Sequence, residues 1–193
     1  MRKTIVAVAI FTAVLITFIA VLSIASYPNI FSNDWTPKTP PQRLVVPDDY
    51  STLADAIGNS SQGATIFVKK GTYEINANPL FTNKTLTIIG EDQDNTILVT
   101  PPDTRIGFEF FESKIGLRVY ADDFSISNFT ITRCDFGVSV TGNRTKISNI
   151  TSNSIFVSGF NCHISTSHLS DEGANPMNIM GSFNNVSTNT FRA

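Results

Sequence analysis

The 193-residue sequence predicts an all-β fold, a parallel β-helix, on three observations. A phrase of nearly constant form recurs four times in the second half, and "SISNFT" at 125–130 is its first copy. The apolar residues there fall in short strand-like runs that no helical pattern interrupts. A repeat of about 20 residues without helices indicates stacked coils, in which each rung contributes strands that pair with its neighbours.

Residues 1–25 predict a signal anchor or a signal peptide. Arg2 and Lys3 precede an uncharged apolar stretch at 5–25, which as a helix would be ~31 Å long at ~1.5 Å per residue, enough to cross a bilayer. Because the positive charges come first, we expect the rest of the chain outside the cell. The Ser-Ile-Ala triplet at 23–25 also fits a cleavage site, so a membrane anchor and a secreted form both stay open.

Residues 26–44 predict an extended linker, because four prolines lie between 28 and 41 and such segments do not pack. We expect the β-helix domain to occupy 45–193. Within it, "YSTLADAIGNS" has apolar residues at 53, 56 and 57, a helical spacing, followed by Gly58. It predicts one short helix that covers the N-terminal end of the coil.

The repeats place their apolar residues at fixed offsets. A second β-branched anchor follows each first anchor by seven positions, and serine comes next in every copy. Because side chains alternate along a strand, we expect the anchors to line the core and the serines to form an outward column. The first anchors are Val119, Val140, Val157 and Ile179, the second are Ile126, Ile147, Ile164 and Val186, and the serines are Ser127, Ser148, Ser165 and Ser187.

No cap comparable to the N-terminal helix follows the last repeat, and the sequence stops at "TNTFRA", inside a rung. An unpaired β edge promotes association. We therefore expect either further rungs beyond this chain or edge-to-edge association at the last rung.

The stretch "VPDDYSTLADAIGNSSQGATIFVKKGTYEINANPLFTNKTLTIIGEDQDNTIL" resembles the first rungs of right-handed parallel β-helix proteins of the pectin-lyase-like superfamily. Those rungs run as an Ala-Ile helix, a strand, a Gly-x-Tyr motif and a strand that ends in glycine. The repeats from residue 116 resemble those of surface and periplasmic β-helix proteins, including the periplasmic copper-binding repeat family. The resemblance implies a right-handed coil, but it transfers no activity, because this scaffold carries many chemistries.

A polysaccharide-active enzyme of lyase or esterase type is one alternative function. Lyases that resemble this chain hold Ca²⁺ with carboxylates beside a base, and Ca²⁺ takes about six to eight oxygen ligands. The catalytic candidates are Asp122, Asp123 and Arg144, since Arg144 occupies the equivalent position one rung further on. The opposing interpretation is a solvated turn with an Asp–Arg contact. The catalytic motifs of pectinesterases are missing, so most catalytic rungs would lie beyond this chain.

A copper-binding surface protein is the second alternative. "CHISTSH" combines Cys162, His163 and His168, and thiolate with imidazole suits copper. His163 precedes an inward anchor, so we expect it to point outward, where a histidine is usually unligated. Cys162 would form a disulfide with Cys134 only if their Cα atoms lie within ~7 Å, which leaves the pairing open. We expect no cofactor in the favoured interpretation, and Ca²⁺ or copper only in the two alternatives.

Six Asn-x-Ser/Thr sequons are candidates for glycosylation in an exported chain. Aromatic residues at predicted turns are candidates for stacking on sugars, whereas packing inside the coil is the opposing interpretation. The sequons are at Asn59, Asn83, Asn128, Asn143, Asn149 and Asn185, and the aromatic residues are Tyr120, Phe124, Phe160 and Phe183.

The charge composition argues against nucleic acid as a partner. Charged residues make up 16% of the chain, the formal net charge is -2, and no cluster of Lys and Arg occurs, whereas phosphate binding requires one. We therefore predict a cell-surface or secreted β-helix module with a structural, adhesive or glycan-binding role, rather than an enzyme in its own right.

Overall fold

The computed structural model describes residues 40–75, 80–100, 114–170 and 176–192. The predicted anchor at 5–25 and most of the predicted linker lie outside these ranges. Within them, no helix is long and apolar enough to span a bilayer. The described residues form one helix, α1, and sixteen strands, the first of which begins at Arg43, two residues before the predicted start of the domain.

Every strand pair in these ranges is parallel, and the strands stack into three faces of a coil. Face A consists of β1 (Arg43–Val46), β2 (Thr65–Val68), β5 (Thr87–Gly90), the first halves of β8 (Ser125–Thr132) and β10 (Lys146–Ser152), β12 (His163–Ser165) and β15 (Asn185–Ser187). Face B consists of β3 (Gly71–Glu74), β6 (Thr96–Val99), the second halves of β8 and β10, β13 (His168–Ser170) and β16 (Thr190–Arg192). Face C consists of β4 (Leu80–Thr82), β7 (Ile115–Val119), β9 (Phe136–Thr141), β11 (Ile155–Ser158) and β14 (Met177–Met180).

The pairing register confirms the alignment of the repeats. Ile126 pairs with Ile147, and Ile147 pairs in turn with Ile164. Ile164 pairs with Val186. The serines predicted to form a column are in register and half-buried on the outside of face A. They are Ser127, Ser148, Ser165 and Ser187.

The anchors form the core of the coil in all rungs but the last. Val119, Val140, Ile147 and their equivalents up to Ile164 are fully buried. The last two anchors do not follow the prediction, because Ile179 is half-buried and Val186 is 45% exposed. Each anchor is shielded by the rungs on both sides, and among the described residues no further rung covers these two.

Helix α1 (Leu53–Asn59) confirms the predicted N-terminal cover. Its apolar side chains at 53, 56 and 57 are buried, and the helix lies against β1, β2 and β4. The Thr52 hydroxyl accepts a hydrogen bond from the Asp55 amide, which caps the first turn. At the other end, the Lys84 ammonium donates to three carbonyls of residues 57, 58 and 60, at 2.8–2.9 Å, and so satisfies groups that a helix C-terminus leaves unpaired.

Candidate functional site

Exposed aromatic side chains concentrate along one longitudinal edge of the coil. Within the described ranges, five aromatic residues are at least half exposed. Four of them lie at or beside the turns that lead from face C to face A, on four different rungs. We call this set the aromatic edge, and it consists of Phe81, Tyr120, Phe160 and Phe183.

Four turns from face C to face A stack in one conformation, and three of them carry a ring of the edge, at Tyr120, Phe160 and Phe183. Equivalent positions in these turns are occupied by residues 123, 144, 161 and 183, and their φ values all lie between 55° and 60°. Two residues earlier the chain has Ala121, Gly142, Gly159 and then Gly181 on successive rungs. A Cβ atom on any of these three glycines would overlap a backbone oxygen of the preceding turn. The turns therefore stack closely, and side chains beside them project outward at the rung spacing.

The first two rings of the edge form a pair on adjacent rungs. Phe81 and Tyr120 are each 50% exposed, and their ring centroids are 5.8 Å apart at an interplanar angle of 50°. Arg118 lies directly opposite Phe81 in the parallel ladder of β4 and β7, and Ser139 lies opposite Arg118 on β9. Neither Phe81 nor Arg118 was predicted as a site residue. Phe81 lies before the repeats, and Arg118 lies at the start of the first repeat. The alternation of Phe81 with two buried neighbours was the available signal.

Phe124 does not belong to the edge, which corrects its assignment as a sugar-stacking candidate. Its side chain is fully buried, and it fills the coil just before β8. The structure therefore supports the opposing interpretation for this residue and leaves Tyr120, Phe160 and Phe183 exposed, at 50%, 52% and 85%.

The three catalytic candidates come together at one turn of the same edge. The Arg144 guanidinium donates to both carboxylate oxygens of Asp123, at 2.7 and 2.8 Å, and reaches Asp122 at 3.4 Å. Asp122 also accepts the backbone N–H of Asn143, one rung further on, at 2.8 Å. The side chains of all three are about half exposed. This is the cross-rung ion pair of the opposing interpretation.

The electrostatics of this cluster favour a structural clamp over acid–base chemistry. The pKa of Asp122 is lowered mainly by the hydrogen bond from the Asn143 backbone, and that of Asp123 by its hydrogen bond with Arg144. Asp123 in turn raises the pKa of Arg144, which keeps the guanidinium protonated. A general base must be able to accept a proton near the working pH. Arg144 stays protonated there, so it cannot act as that base.

The copper candidates do not converge. Cys162 is buried at the turn before face A, and its thiol lies 3.4 Å from the Gly142 carbonyl oxygen. His163 and His168 are exposed and lie on different faces, in β12 and β13. Among the residues that the structure describes, no group of three His, Cys, Asp or Glu side chains is placed to hold a metal ion.

Both cysteines are buried free thiols. Cys134 follows β8 at the turn toward face C, whereas Cys162 precedes β12 at the turn from face C. Burial raises the pKa of the Cys134 thiol to about 11. Because the thiolate is the reactive form, this thiol is protected from oxidation and alkylation at neutral pH.

The six sequons fall into two groups. Three of the asparagines are exposed, and three are half-buried with their side chains engaged in contacts between rungs. The exposed ones are Asn59, Asn83 and Asn185, and the engaged ones are Asn128, Asn143 and Asn149. Glycosylation stays a prediction, which the geometry favours at the exposed group.

Comparison with known proteins bears on the fold. No family model matches the chain, and no curated protein sequence does. Among solved structures, a pectin methylesterase variant in complex with a hexasaccharide matches at 19% identity and a TM-score of 0.53, over 68% of this chain and 50% of that one. Pectin methylesterase PemA from Erwinia chrysanthemi matches at 18% identity and a TM-score of 0.51, over 68% and 49%.

The chain spans about half the length of these two solved structures. At such identities the likeness concerns the fold alone. The described domain therefore shares the right-handed parallel β-helix fold of these two pectin methylesterase structures, which is the fold that the sequence resemblance implied.

Proposed function

We propose that this chain is an extracytoplasmic β-helix module that binds polysaccharide along the aromatic edge. The observation that carries the proposal is the Phe81–Tyr120 pair, two half-exposed rings held 5.8 Å apart on adjacent rungs. Exposed rings that cost little ordering entropy are suited to stacking on the apolar faces of sugars. Phe160 and Phe183 lie on two further rungs of the same edge, after one rung (β9) whose turn carries no ring, so an extended ligand would meet rings on four of these five rungs.

The surroundings of the pair supply polar contacts of the kind that fix a sugar. Asn83 and Thr141 occupy the positions on either side of Tyr120 when the ladder is continued by one residue, and both are exposed. The outward column of face C reads Phe81, Arg118, Ser139, Phe156 and Asn178. A ligand site combines apolar area with a few convergent polar groups, and this column offers both.

Two further observations support the proposal. The fold is that of pectin methylesterases, one of which was solved with a hexasaccharide bound. The positive charges before the apolar segment at 5–25 support export of the domain, either anchored or secreted. A module that binds a polysaccharide without cleaving it would have a structural or adhesive role at the cell surface.

The test is direct binding of soluble polysaccharides to the full chain, measured by isothermal titration calorimetry. We expect Tyr120→Ala and Phe81→Ala each to weaken binding roughly tenfold, equivalent to about 1.4 kcal/mol. Phe191→Ala is the matched control, because Phe191 is an aromatic residue of similar exposure (53%) on face B, and it should leave affinity unchanged.

Equal effects of the three substitutions would contradict a site at the aromatic edge. The same samples should be assayed for release of reducing ends or of methanol. Turnover that Arg144→Gln abolishes would favour the enzymatic alternative, in which Asp122, Asp123 and Arg144 act on the polymer.

A further inference from the structure

We infer that Asn83 carries an N-linked glycan whose first sugar packs on the Phe81–Tyr120 pair and so closes this pair to an external polysaccharide. Only the closure rests on the proposed function, because the attachment and the packing involve nothing but the chain and its own glycan. Asn83 opens the sequon Asn-Lys-Thr at 83–85, and such sequons are acceptors for glycosylation on the surface of exported proteins.

The side chain of Asn83 lies on the same side of the coil as the two rings. Phe81 and Asn83 are exposed on either side of the buried Thr82, as expected for residues two positions apart along an extended chain. The Tyr120 amide donates to the Thr82 carbonyl oxygen at 2.9 Å, so Tyr120 is the neighbour of Asn83 on the next rung. A sugar bonded to the side-chain nitrogen of Asn83 would therefore begin beside both rings.

Asn83 differs from the other sequon asparagines in its surroundings. It is exposed, and its side chain forms no hydrogen bond with a residue in the described ranges. Asn59 is exposed too, but its side-chain amide donates to the Asp55 carbonyl oxygen at 2.9 Å. Asn185 follows the exposed Phe183 by two positions, but Phe183 lies in a turn, at a φ of 60°, and not in the strand of Asn185. The remaining three are half-buried in contacts between rungs.

The attachment transfers an oligosaccharide from a polyprenyl phosphate carrier, and a membrane transferase of the exporting cell catalyses it. The side-chain nitrogen of Asn83 forms a bond to the anomeric carbon, the bond from that carbon to the phosphate oxygen breaks, and the lipid phosphate leaves with the electron pair. One amide proton passes to a base of the transferase. The Thr85 hydroxyl, which completes the sequon, donates to the Asp122 carbonyl oxygen of the next rung at 2.9 Å. Because this contact forms only when that rung stacks, we place the transfer during export, before the domain folds.

The folded domain then holds the first sugar against apolar area. Phe81 and Tyr120 are each 50% exposed, with ring centroids 5.8 Å apart, and the C–H groups on the face of a sugar can cover such rings. A tethered group has an effective concentration in the range of ~mM for a short linker, whereas a soluble polysaccharide must bind from dilute solution. The glycan therefore displaces the external ligand from this pair and leaves Phe160 and Phe183 open to it.

The experiment uses the full chain produced in a eukaryotic secretory host, with its glycans trimmed by an endoglycosidase to a single N-acetylglucosamine. We expect peptide mass spectrometry to find Asn83 occupied. In ¹H NMR spectra, the C–H resonances of this sugar, assigned by difference from Asn83→Gln, should shift upfield because they lie over aromatic rings. Phe81→Ala should remove most of this shift. Phe160→Ala, at a ring of similar exposure (52%) on the same edge, is the matched control and should retain it.

Closure of the pair is measured by titration calorimetry with the soluble polysaccharides that test the proposed function. Asn83→Gln should bind them roughly tenfold more tightly than the trimmed glycosylated chain, because its rings are uncovered. The two samples come from the same host and differ only at this position.

The outcomes separate this inference from the proposed function. An unoccupied Asn83 would overturn the modification, and an upfield shift that persists in Phe81→Ala would overturn the packing, while polysaccharide binding stands in both cases. Equal binding by the glycosylated chain and by Asn83→Gln would overturn the closure alone. No binding by Asn83→Gln would overturn the proposed function, whereas an occupied Asn83 with a shifted sugar would still establish the modification and the packing. Unchanged far-UV circular dichroism of each variant establishes that a lost shift is not lost folding.

Discussion

Two asparagines at the corner between faces A and B illustrate how single residues hold the rungs in register. Asn128 and Asn149 have φ values of 63° and 52°, a left-handed conformation that asparagine tolerates better than most residues. The Asn149 side-chain amide donates to the Asn128 side-chain oxygen at 3.0 Å, and the Asn128 amide donates to the Gly90 carbonyl at 3.1 Å. The repeated sequon is therefore, in the fold, a column of amides that links three rungs.

Removal of one member of this column should destabilise the domain. We expect Asn128→Ala to lower the free energy of unfolding by about 2 kcal/mol, because alanine adopts the left-handed conformation less readily and two hydrogen bonds of about 1 kcal/mol each are lost. Urea unfolding followed by circular dichroism measures the change. Asn83→Ala, at an exposed asparagine, is the control and should change the free energy of unfolding by less than about 0.5 kcal/mol. A similar loss in both variants would show that the column of amides does not stabilise the domain.

The ion pair at Arg144 makes a prediction about pH. The pKa of Asp123 lies below its ordinary value of 3.8, chiefly because Arg144 binds the ionised form. A carboxyl group whose pKa is lowered by folding contributes stability above its ordinary pKa, and loses it as the pH falls through the lowered value. In Arg144→Gln we expect the pKa of Asp123 to rise toward the ordinary value. Carboxyl ¹³C NMR titration measures it, and an unchanged pKa in this variant would refute the assigned cause.

At the scale of elements, the turns from face C to face A depend on residues without a side chain. Gly142, Gly159 and Gly181 lie one above another, and each allows the backbone of the next turn to approach. Two of these turns carry a ring of the aromatic edge, Phe160 beside Gly159 and Phe183 beside Gly181. Close stacking of the turns therefore sets the spacing between these two rings.

A methyl group at this position should separate the turns. The Cβ of Gly142→Ala would overlap the carbonyl oxygen of Ala121, so we expect a loss of about 3 kcal/mol in the free energy of unfolding. Gly58→Ala is the matched control, because Gly58 lies in α1 with nothing within 4 Å of an added Cβ, and helix propensity predicts a gain of about 0.5–1 kcal/mol. Thermal or urea unfolding measures the stability of both variants. An unchanged free energy of unfolding in Gly142→Ala would show that the turns are loosely stacked.

At the scale of the whole domain, the two ends of the described coil differ. Helix α1 covers the first rung, whereas the last described rung exposes Val186 by 45% and Phe191 by 53%. Among the residues of β14, β15 and β16, Arg192 alone is charged, although charges commonly protect a free β edge. The predicted edge-to-edge association therefore has a defined location, at β15 and β16.

A charge at that edge should suppress self-association of the chain. We expect the apparent mass of the wild type, measured by analytical ultracentrifugation in detergent, to increase with protein concentration. Val186→Lys should reduce the increase, because pairing would bury an ammonium group. Ser127→Lys places the same charge on the outside of an interior rung and should have no effect. Association that persists undiminished in Val186→Lys would exclude this edge as the contact.

Much of the fold was predictable because the repeat is local and periodic. The seven-residue offset between anchors, the following serine and the helix at "STLADAIG" all lie within short stretches, and each has the predicted place in the fold. The contact between Asp123 and Arg144 followed from the same alignment, since equivalent positions stack. Phe81 and Arg118 were not found, because Phe81 lies before the repeats and its partner strand follows 33 residues later, beyond any local pattern.

The sequence by itself determined the class of fold, the register of the rungs and the covered N-terminal end, because alternation and a regular period act between near neighbours. The tertiary structure alone decided which side chains remain available to a ligand. Whether Phe124 is buried and Tyr120 exposed, or whether Arg144 is bound and Arg118 free of a described partner, depends on what neighbouring rungs place beside each residue. Those neighbours come from distant parts of the chain, and only folding brings them together.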